Sequence, residues 1–302
     1  MNLVNHVPVM LLESLECLNI RPDGCYVDCT FGRGGHTTEI LKRLNTEGRV
    51  VAIDRDPDAI DFGRETFTDS RLCLQHARFS ELEAIAKDRG IHGSIDGVLV
   101  DLGVSSPQLD SPTRGFSFQS DGPLDMRMDP SQGLSAAQWL SQASEPDIVS
   151  CLRDFGEERH AKKIARYIVE DRETQAIETT SQLAALVKRA VPKANRQRIH
   201  PATRTFQALR ILVNEELQEV SALLAQALRV INLGARVVVI AFHSLEDRIV
   251  KRFFRDTCAN QHDASANQFK LPFRKPLRPA EEEQSQNSRA RSARLRVIER
   301  TA

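Results

Sequence analysis

Apolar residues recur along the first hundred positions in two rhythms. Val9, Leu11, Leu12, Leu15 and Leu18 fall at helical spacing within Pro8–Ile20, the stripe of a helix packed on a sheet edge. Tyr26-Val27-Asp28 reads as the end of a buried strand, and Gly48–Asp54 as a second. Arg71–His76 and Ile95–Gly103 supply a third and a fourth. Helical runs separate them at Glu39–Leu44, at Asp58–Phe67 behind Pro57, and at Phe79–Ala86. The alternation β-α-β-α-β-α-β predicts a parallel sheet covered on both faces.

After position 104 the rhythm changes. Residues 105 to about 130 are rich in Ser, Pro, Gly and Asp, which predicts a long irregular loop, and such loops at strand ends usually carry function. Helical patterns follow at Leu134–Ser141, Glu145–Phe155, Ala161–Asp171, Ser181–Val191 and Thr203–Leu233. Gly234–Phe242 is apolar and β-branched throughout, as a central parallel strand should be. Ser244 is placed to cap a helix over Leu245–Asp256, with Asp247 at its third position. Residues 259–291 read as polar and irregular, and Ala293–Arg300 alternates like an edge strand. The expected organisation is an α/β domain of residues 1–104 and 214–302, doubly wound and Rossmann-like, with a helical domain of residues 105–213 inserted between the fourth and fifth strands.

Val27 to Thr38 holds the densest chemistry. A strand ending in Asp28 runs into Gly32, Gly34 and Gly35, then into the start of a helix, and the next strand ends in Asp54. Glycines there permit positive φ and let backbone N–H groups approach a ligand. A carboxylate at the second strand tip can accept from both hydroxyls of a ribose. NAD and S-adenosylmethionine both carry that ribose. The order G-x-G-G-H lacks the third glycine of the dinucleotide fingerprint, which favours S-adenosylmethionine; an ordinary tight turn is the bland alternative. Ligands of open α/β sheets bind beyond the carboxyl ends of the strands. Those ends carry Asp28, Asp54, Asp101 and Phe242-His243-Ser244. Asp28 has the competing task of bracing its own turn. Phe79, just after the third strand, suits either an adenine face or a helix-start staple.

Asp101 through Gln108 stands where a methyl acceptor would lie, which makes Asp101, Ser105 and Ser106 candidate catalytic residues. An exocyclic base amine is a poor nucleophile because its lone pair is delocalised; a carboxylate or carbonyl accepting its hydrogens restores reactivity. In-line placement of nitrogen, methyl carbon and sulfur then supplies most of the rest. Such chemistry asks for neither a covalent nucleophile nor a metal, and no His/Cys cluster has zinc spacing. The six cysteines form no CxxC pair and read as buried thiols of a reducing cytosol. The formal net charge is +0, so a nucleic-acid footprint has to come from local clusters. No signal peptide or membrane span is legible, so a cytoplasmic protein is expected.

Taken together, Asp-Cys-Thr-Phe-Gly-Arg-Gly-Gly-His at 28–36, Asp-Leu-Gly-Val-Ser-Ser-Pro-Gln-Leu-Asp at 101–110 and Arg-Gly-Phe-Ser-Phe at 114–118 resemble the bacterial 16S rRNA cytosine-N4 methyltransferase family. So do the blocks at 122–129, 200–210, 242–248 and 287–293, in order along the whole chain. The resemblance implies a class I methyltransferase core with an inserted helical domain. It implies S-adenosylmethionine contacts at Gly34, Gly35, His36, Asp54, Phe79, Asp101 and Gln108, beside Gly32 of the same turn. It implies methylation of N4 of one cytidine in the decoding region of the small ribosomal subunit, and a homodimer by the same analogy. RNA contacts are expected at Arg114, Phe116, Phe118 and Arg127 of the loop, at Lys188, Arg189, Lys193, Arg196, Arg198, His200 and Arg204, and at Arg289, Arg291, Arg294 and Arg296. Solvated helix faces are the commoner meaning of such runs. His243 belongs either to the acceptor pocket or to the strand's structural end. A nicotinamide dehydrogenase and a non-catalytic RNA scaffold are the competing classes.

Overall fold

The computed structural model describes residues 8–191, 200–259 and 268–302. The chain runs α1 (Leu11–Leu18), β1 (Cys25–Asp28), α2 (Gly35–Leu41), β2 (Arg49–Asp54), α3 (Pro57–Thr66), β3 (Leu72–His76), α4 (Leu82–Asp88) and β4 (Ile95–Asp101). Then come α5 (Ser106–Asp110), α6 (Ala136–Gln142), α7 (Glu145–Asp154), α8 (Ala161–Arg172), α9 (Thr180–Ala190) and α10 (Thr203–Val213). Helix α11 (Glu216–Val230) leads to β5 (Ile231–Ala241), α12 (Ser244–Ala259), β6 (Phe269–Lys270), α13 (Glu281–Gln286) and β7 (Arg294–Arg300).

The strands form one sheet in the order β3-β2-β1-β4-β5-β7-β6. The first five are parallel, and β7 pairs antiparallel with both β5 and β6. This is the doubly wound α/β sheet expected of a class I methyltransferase. Successive strand residues point to opposite faces. Val51, Ile53, Val98, Val100, Val237 and Val239 enter one apolar layer, with Ile85 of α4, Leu223 of α11 and Phe254 of α12. Val50, Ala52, Leu99, Val238 and Ile240 enter the other, with Leu15 of α1 and Ile40 of α2. Runs apolar on both faces are what a doubly covered parallel sheet requires.

By backbone contacts the chain divides into two compact units, Met1–Gly103 with Leu217–Ala302, and Val104–Glu216. The helical unit has its own core, including Leu140, Ile148, Leu152, Ile164, Ile168, Leu183 and Leu209. Several of its helices start on side-chain caps. Ser135/Gln138 and Thr179/Gln182 form reciprocal capping boxes, and Ser144 caps α7.

Several boundaries differ from expectation. The run Thr203–Leu233 is not one helix: α10 ends at Val213, α11 starts at Glu216, and β5 already begins at Ile231. Asn214 is responsible for the break. Its side chain accepts from Met128 N (2.8 Å) and donates to Met126 O (2.7 Å) and Arg210 O (2.9 Å), and Glu215 takes φ 53°. The stretch 105–130 is not wholly irregular, because Ser105 and Gln108 close a capping box at the start of α5. Nor is 259–291, which contains β6 and α13. Finally, β7 is not at the edge; the two-residue β6 lies outside it. No helix among the described residues is long and apolar enough to cross a membrane.

Candidate active site

The tips of β1, β2 and β4 are neighbours in the sheet, and each ends in an aspartate. Asp28 is buried and braces the glycine turn: Oδ1 accepts from Thr30 N (3.1 Å) and Oδ2 from Thr37 Oγ1 (2.7 Å). Thr30 Oγ1 in turn accepts from Asp101 N (2.7 Å), tying the tip of β4 to the turn after β1. Gly34 sits at φ 72°, where a Cβ would meet Phe67 Cζ at 2.4 Å. Gly35 lies against Pro8, whose Cγ would be 2.3 Å from its Cβ. Close packing of the turn on its own chain thus demands glycine here.

Asp54 accepts from Gly32 N on Oδ2 (2.7 Å) and from Asp56 N on Oδ1 (2.9 Å). Burial raises its pKa to about 6 against those two hydrogen bonds. Each oxygen keeps a lone pair for a further donor.

His36 and Asp101 face one another, Nδ1 3.8 Å from Oδ2. They are not an ion pair. Burial pushes His36 down to about 4, and burial together with the carboxylates of Asp28, Glu246 and Glu283 pushes Asp101 well above the usual range. Each is thereby driven to its neutral form. Two buried polar atoms lack a hydrogen-bond partner at this place, His36 Nε2 and Asp101 Oδ1. Orphaned atoms of this kind call for an explanation, and a bound ligand is a natural one. Spare acceptor capacity on Asp54, the close glycine turn and the acidic setting of Asp101 fit an adenosyl ligand that carries a positive charge.

Phe79 opens a short 3-10 turn after β3 and is partly buried against the core of the sheet. His243 caps α12: its Nδ1 accepts from Glu246 N (3.4 Å), and Nε2 stands 3.1 Å from Glu246 Oε1 without hydrogen-bond alignment. Glu246 reaches back to the N–H groups of Phe242 (2.9 Å) and His243 (3.3 Å). The acid that closes this helix start is therefore Glu246, not Asp247. Asp247 instead grips Arg294 and Arg296 from β7, each at 2.7 Å.

In the helical unit, Ser105 and Gln108 bond one another across the first turn of α5, Ser106 being its first residue. Arg127 makes a two-point contact with Asp125, and Arg114 donates to the carbonyls of Arg127 and Met128. Both arginines thus fold the loop on itself. Phe116 is 6% exposed and belongs to the helical core, so its ring is not presented at the surface. His200 is exposed and stacked on Phe118, centroids 4.6 Å apart, while Arg204 donates to Glu157 O. Arg291 is exposed and Arg289 partly so. Lys193, Arg196 and Arg198 lie outside the described residues. Sequence reasoning missed Thr30 and Glu246. A hydroxyl two residues after a strand-tip acid, and an acid three residues after His243, were the available signals.

The MraW methylase family matches residues 3–301 of the chain. Ribosomal RNA small subunit methyltransferase H of Pseudoalteromonas atlantica is 47% identical over 306 residues, covering 98% of each chain. Its namesake from Thioalkalivibrio sulfidiphilus is 50% identical over 307 residues, again 98% of each. That of Methylococcus capsulatus is 50% identical over 301 residues, 97% of this chain and 100% of the relative.

Proposed function

The chain belongs to the MraW methylase family, and from that premise we propose that it methylates the exocyclic N4 amine of one cytidine in the decoding region of 16S rRNA. At the coarser level it is an S-adenosylmethionine-dependent rRNA methyltransferase. The donor supplies an electrophilic methyl group on a sulfonium.

The chain's own residues then have separable tasks. Asp54 accepts both ribose hydroxyls through the lone pairs left after its two backbone bonds. The turn Gly32–Gly35 and His36 border the donor, and Phe79 covers the adenine. Adjacent strands lie roughly 4.8 Å apart, so the tips of β2 and β4 stand about 10 Å apart across β1. That is the scale of a ribose joined to its sulfonium arm. Asp101 accepts a hydrogen of the acceptor amine on Oδ1, which concentrates the lone pair on nitrogen. As the new N–C bond forms and the methyl–sulfur bond breaks, the surplus amine proton passes to this carboxylate. A neighbouring positive charge favours the ionised form of Asp101, so a bound donor opposes the burial that keeps it neutral. In this reading His243 caps α12 and Ser105 caps α5, whose start Ser106 and Gln108 also support. Exposed His200, backed by Phe118, suits stacking on an unpaired base. A cytoplasmic homodimer is carried by resemblance alone; light scattering tests the dimer.

The observation that carries the mechanism is Asp101 Oδ1, buried at a strand tip without a partner. The test is nucleoside mass mapping of rRNA from small subunits that lack the modification, incubated with labelled donor. Wild type should label N4 of one cytidine in the decoding region, and Asp101→Asn should give no label. Label on another base or another atom refutes the assignment.

A further inference from the structure

Helix α8 buries Ala161, Ile164, Ala165 and Ile168 and exposes Lys162, Lys163 and Arg166. Helix α9, packed on it, ends with exposed Lys188 and Arg189. Three of these cations gather round one partly buried ring. Lys163 Nζ is 5.7 Å, Arg166 Cζ 5.8 Å and Arg189 Cζ 5.0 Å from the centroid of Tyr167. Acids answer only two of them: Arg166 lies 3.6 Å from Glu170, and Arg189 pairs with Asp171. Among the described residues Lys162, Lys163 and Lys188 have no acidic partner.

The fold gains little from this arrangement. The first turn of α8 contains two lysines and no acid, where the helix dipole disfavours positive charge. Lys162 and Arg166 are like charges one turn apart, a spacing that weakens a helix. The chain as a whole is neutral at +0, so the surplus here is segregation rather than composition. Local rules broken for no more return than exposed contacts to one ring and two surface ion pairs mark functional surface.

We propose that the α8–α9 face centred on Tyr167 is a second rRNA contact, taking backbone phosphates rather than the reacting cytidine. The proposal rests on the rRNA methyltransferase reading and adds to it a surface on the helical unit. Tyr167 holds the cations at fixed spacing through its ring face. Unpaired lysines supply charge that RNA phosphates neutralise with release of counterions.

The test uses the full chain and intact small subunits, with binding measured from 50 to 200 mM salt. Lys162→Glu with Lys163→Glu should weaken binding about ten-fold. It should also flatten the log–log salt slope by about 1.4, the value for two lost contacts to single-stranded RNA. S-adenosylmethionine affinity by calorimetry should stay at the wild-type value, which shows the variant folded. The same charge change at Arg64 and Lys87, exposed on the sheet unit, is the control and should leave the slope unchanged. A photo-crosslinker at position 163 should capture RNA. Wild-type affinity and slope in the double variant overturn the proposal, as does equal weakening by the control. Capture of ribosomal protein without RNA overturns it too. Wild-type chain that binds donor but neither binds nor methylates small subunits overturns the rRNA reading itself.

Discussion

Asp54 is a carboxyl whose charge changes between pH 4 and 7, and the change has two consequences of known sign. Its pKa rises from 3.8 to about 6 on folding. In that window the folded chain holds a proton that the unfolded chain has released, so this group makes the fold less stable as pH rises, with no further loss above about 6. Donor binding should move the opposite way, because the ionised carboxylate is the stronger acceptor of ribose hydroxyls. Calorimetry should find S-adenosylmethionine affinity falling by up to about ten-fold per unit below pH 6. Asp54→Asn should bind weakly and lose the step near pH 6, keeping only the pH dependence that Asp101 contributes; an unchanged profile in that variant would remove Asp54 from the ribose contact. Gly34→Ala combines a left-handed φ of 72° with a clash on Phe67. Urea unfolding should register a loss of roughly 2–4 kcal/mol. At this scale the strand-tip acids were legible, since a polar residue ending an apolar strand has few other reasons to be there. The partners of arginines were not. Arg127 and Arg294 look alike in sequence, yet one folds its loop onto Asp125 and the other anchors to Asp247. Distance along the chain, 2 residues in one case and 47 in the other, carries no hint of the second pairing.

Elements were read best where period and caps agreed. Helices α6, α7 and α9 each begin on a Ser or Thr whose side chain accepts from the third residue beyond it. Where a polar side chain overrides the period, the reading failed. The pattern through 203–233 stays apolar at helical spacing, but Asn214 satisfies three backbone groups from a position that ends α10. Asn214→Ala strands Met128 N and Met126 O in a buried place and should cost roughly 2–4 kcal/mol by chemical denaturation. The placement of β7 was illegible for a different reason. An alternating strand shows which face is buried but not which neighbours pair with it, and β6 is only two residues long. Asp247 joins α12 to β7 through Arg294 and Arg296, so Asp247→Ala should destabilise by about 3 kcal/mol, nearer the buried-pair range than the surface one. A change under 0.5 kcal/mol would demote the cluster to decoration.

For the molecule as a whole, two cores are visible in the sequence as a change of rhythm near residue 104, and the contact division falls at Gly103 and Glu216. Adding S-adenosylmethionine should slow amide exchange at 28–38, 54–56 and 99–102 of the sheet unit and leave α8 and α9 at their former rates. Protection appearing first in α8 would move the donor site off the strand tips. Charge, by contrast, misleads at this scale: a net of +0 conceals the cations round Tyr167.

Strands β4 and β5 lie side by side in register from Gly97↔Arg236 to Asp101↔Ile240, yet everything from Leu102 to Val230 is made between them. During synthesis the sheet therefore waits, half finished, until the helical unit has left the ribosome. If that unit collapses first, it draws the two ends of the detour together and reduces the entropy lost on closing it. A cavity such as Leu183→Ala, in the helical core, would then slow the zipping of strands in the other unit.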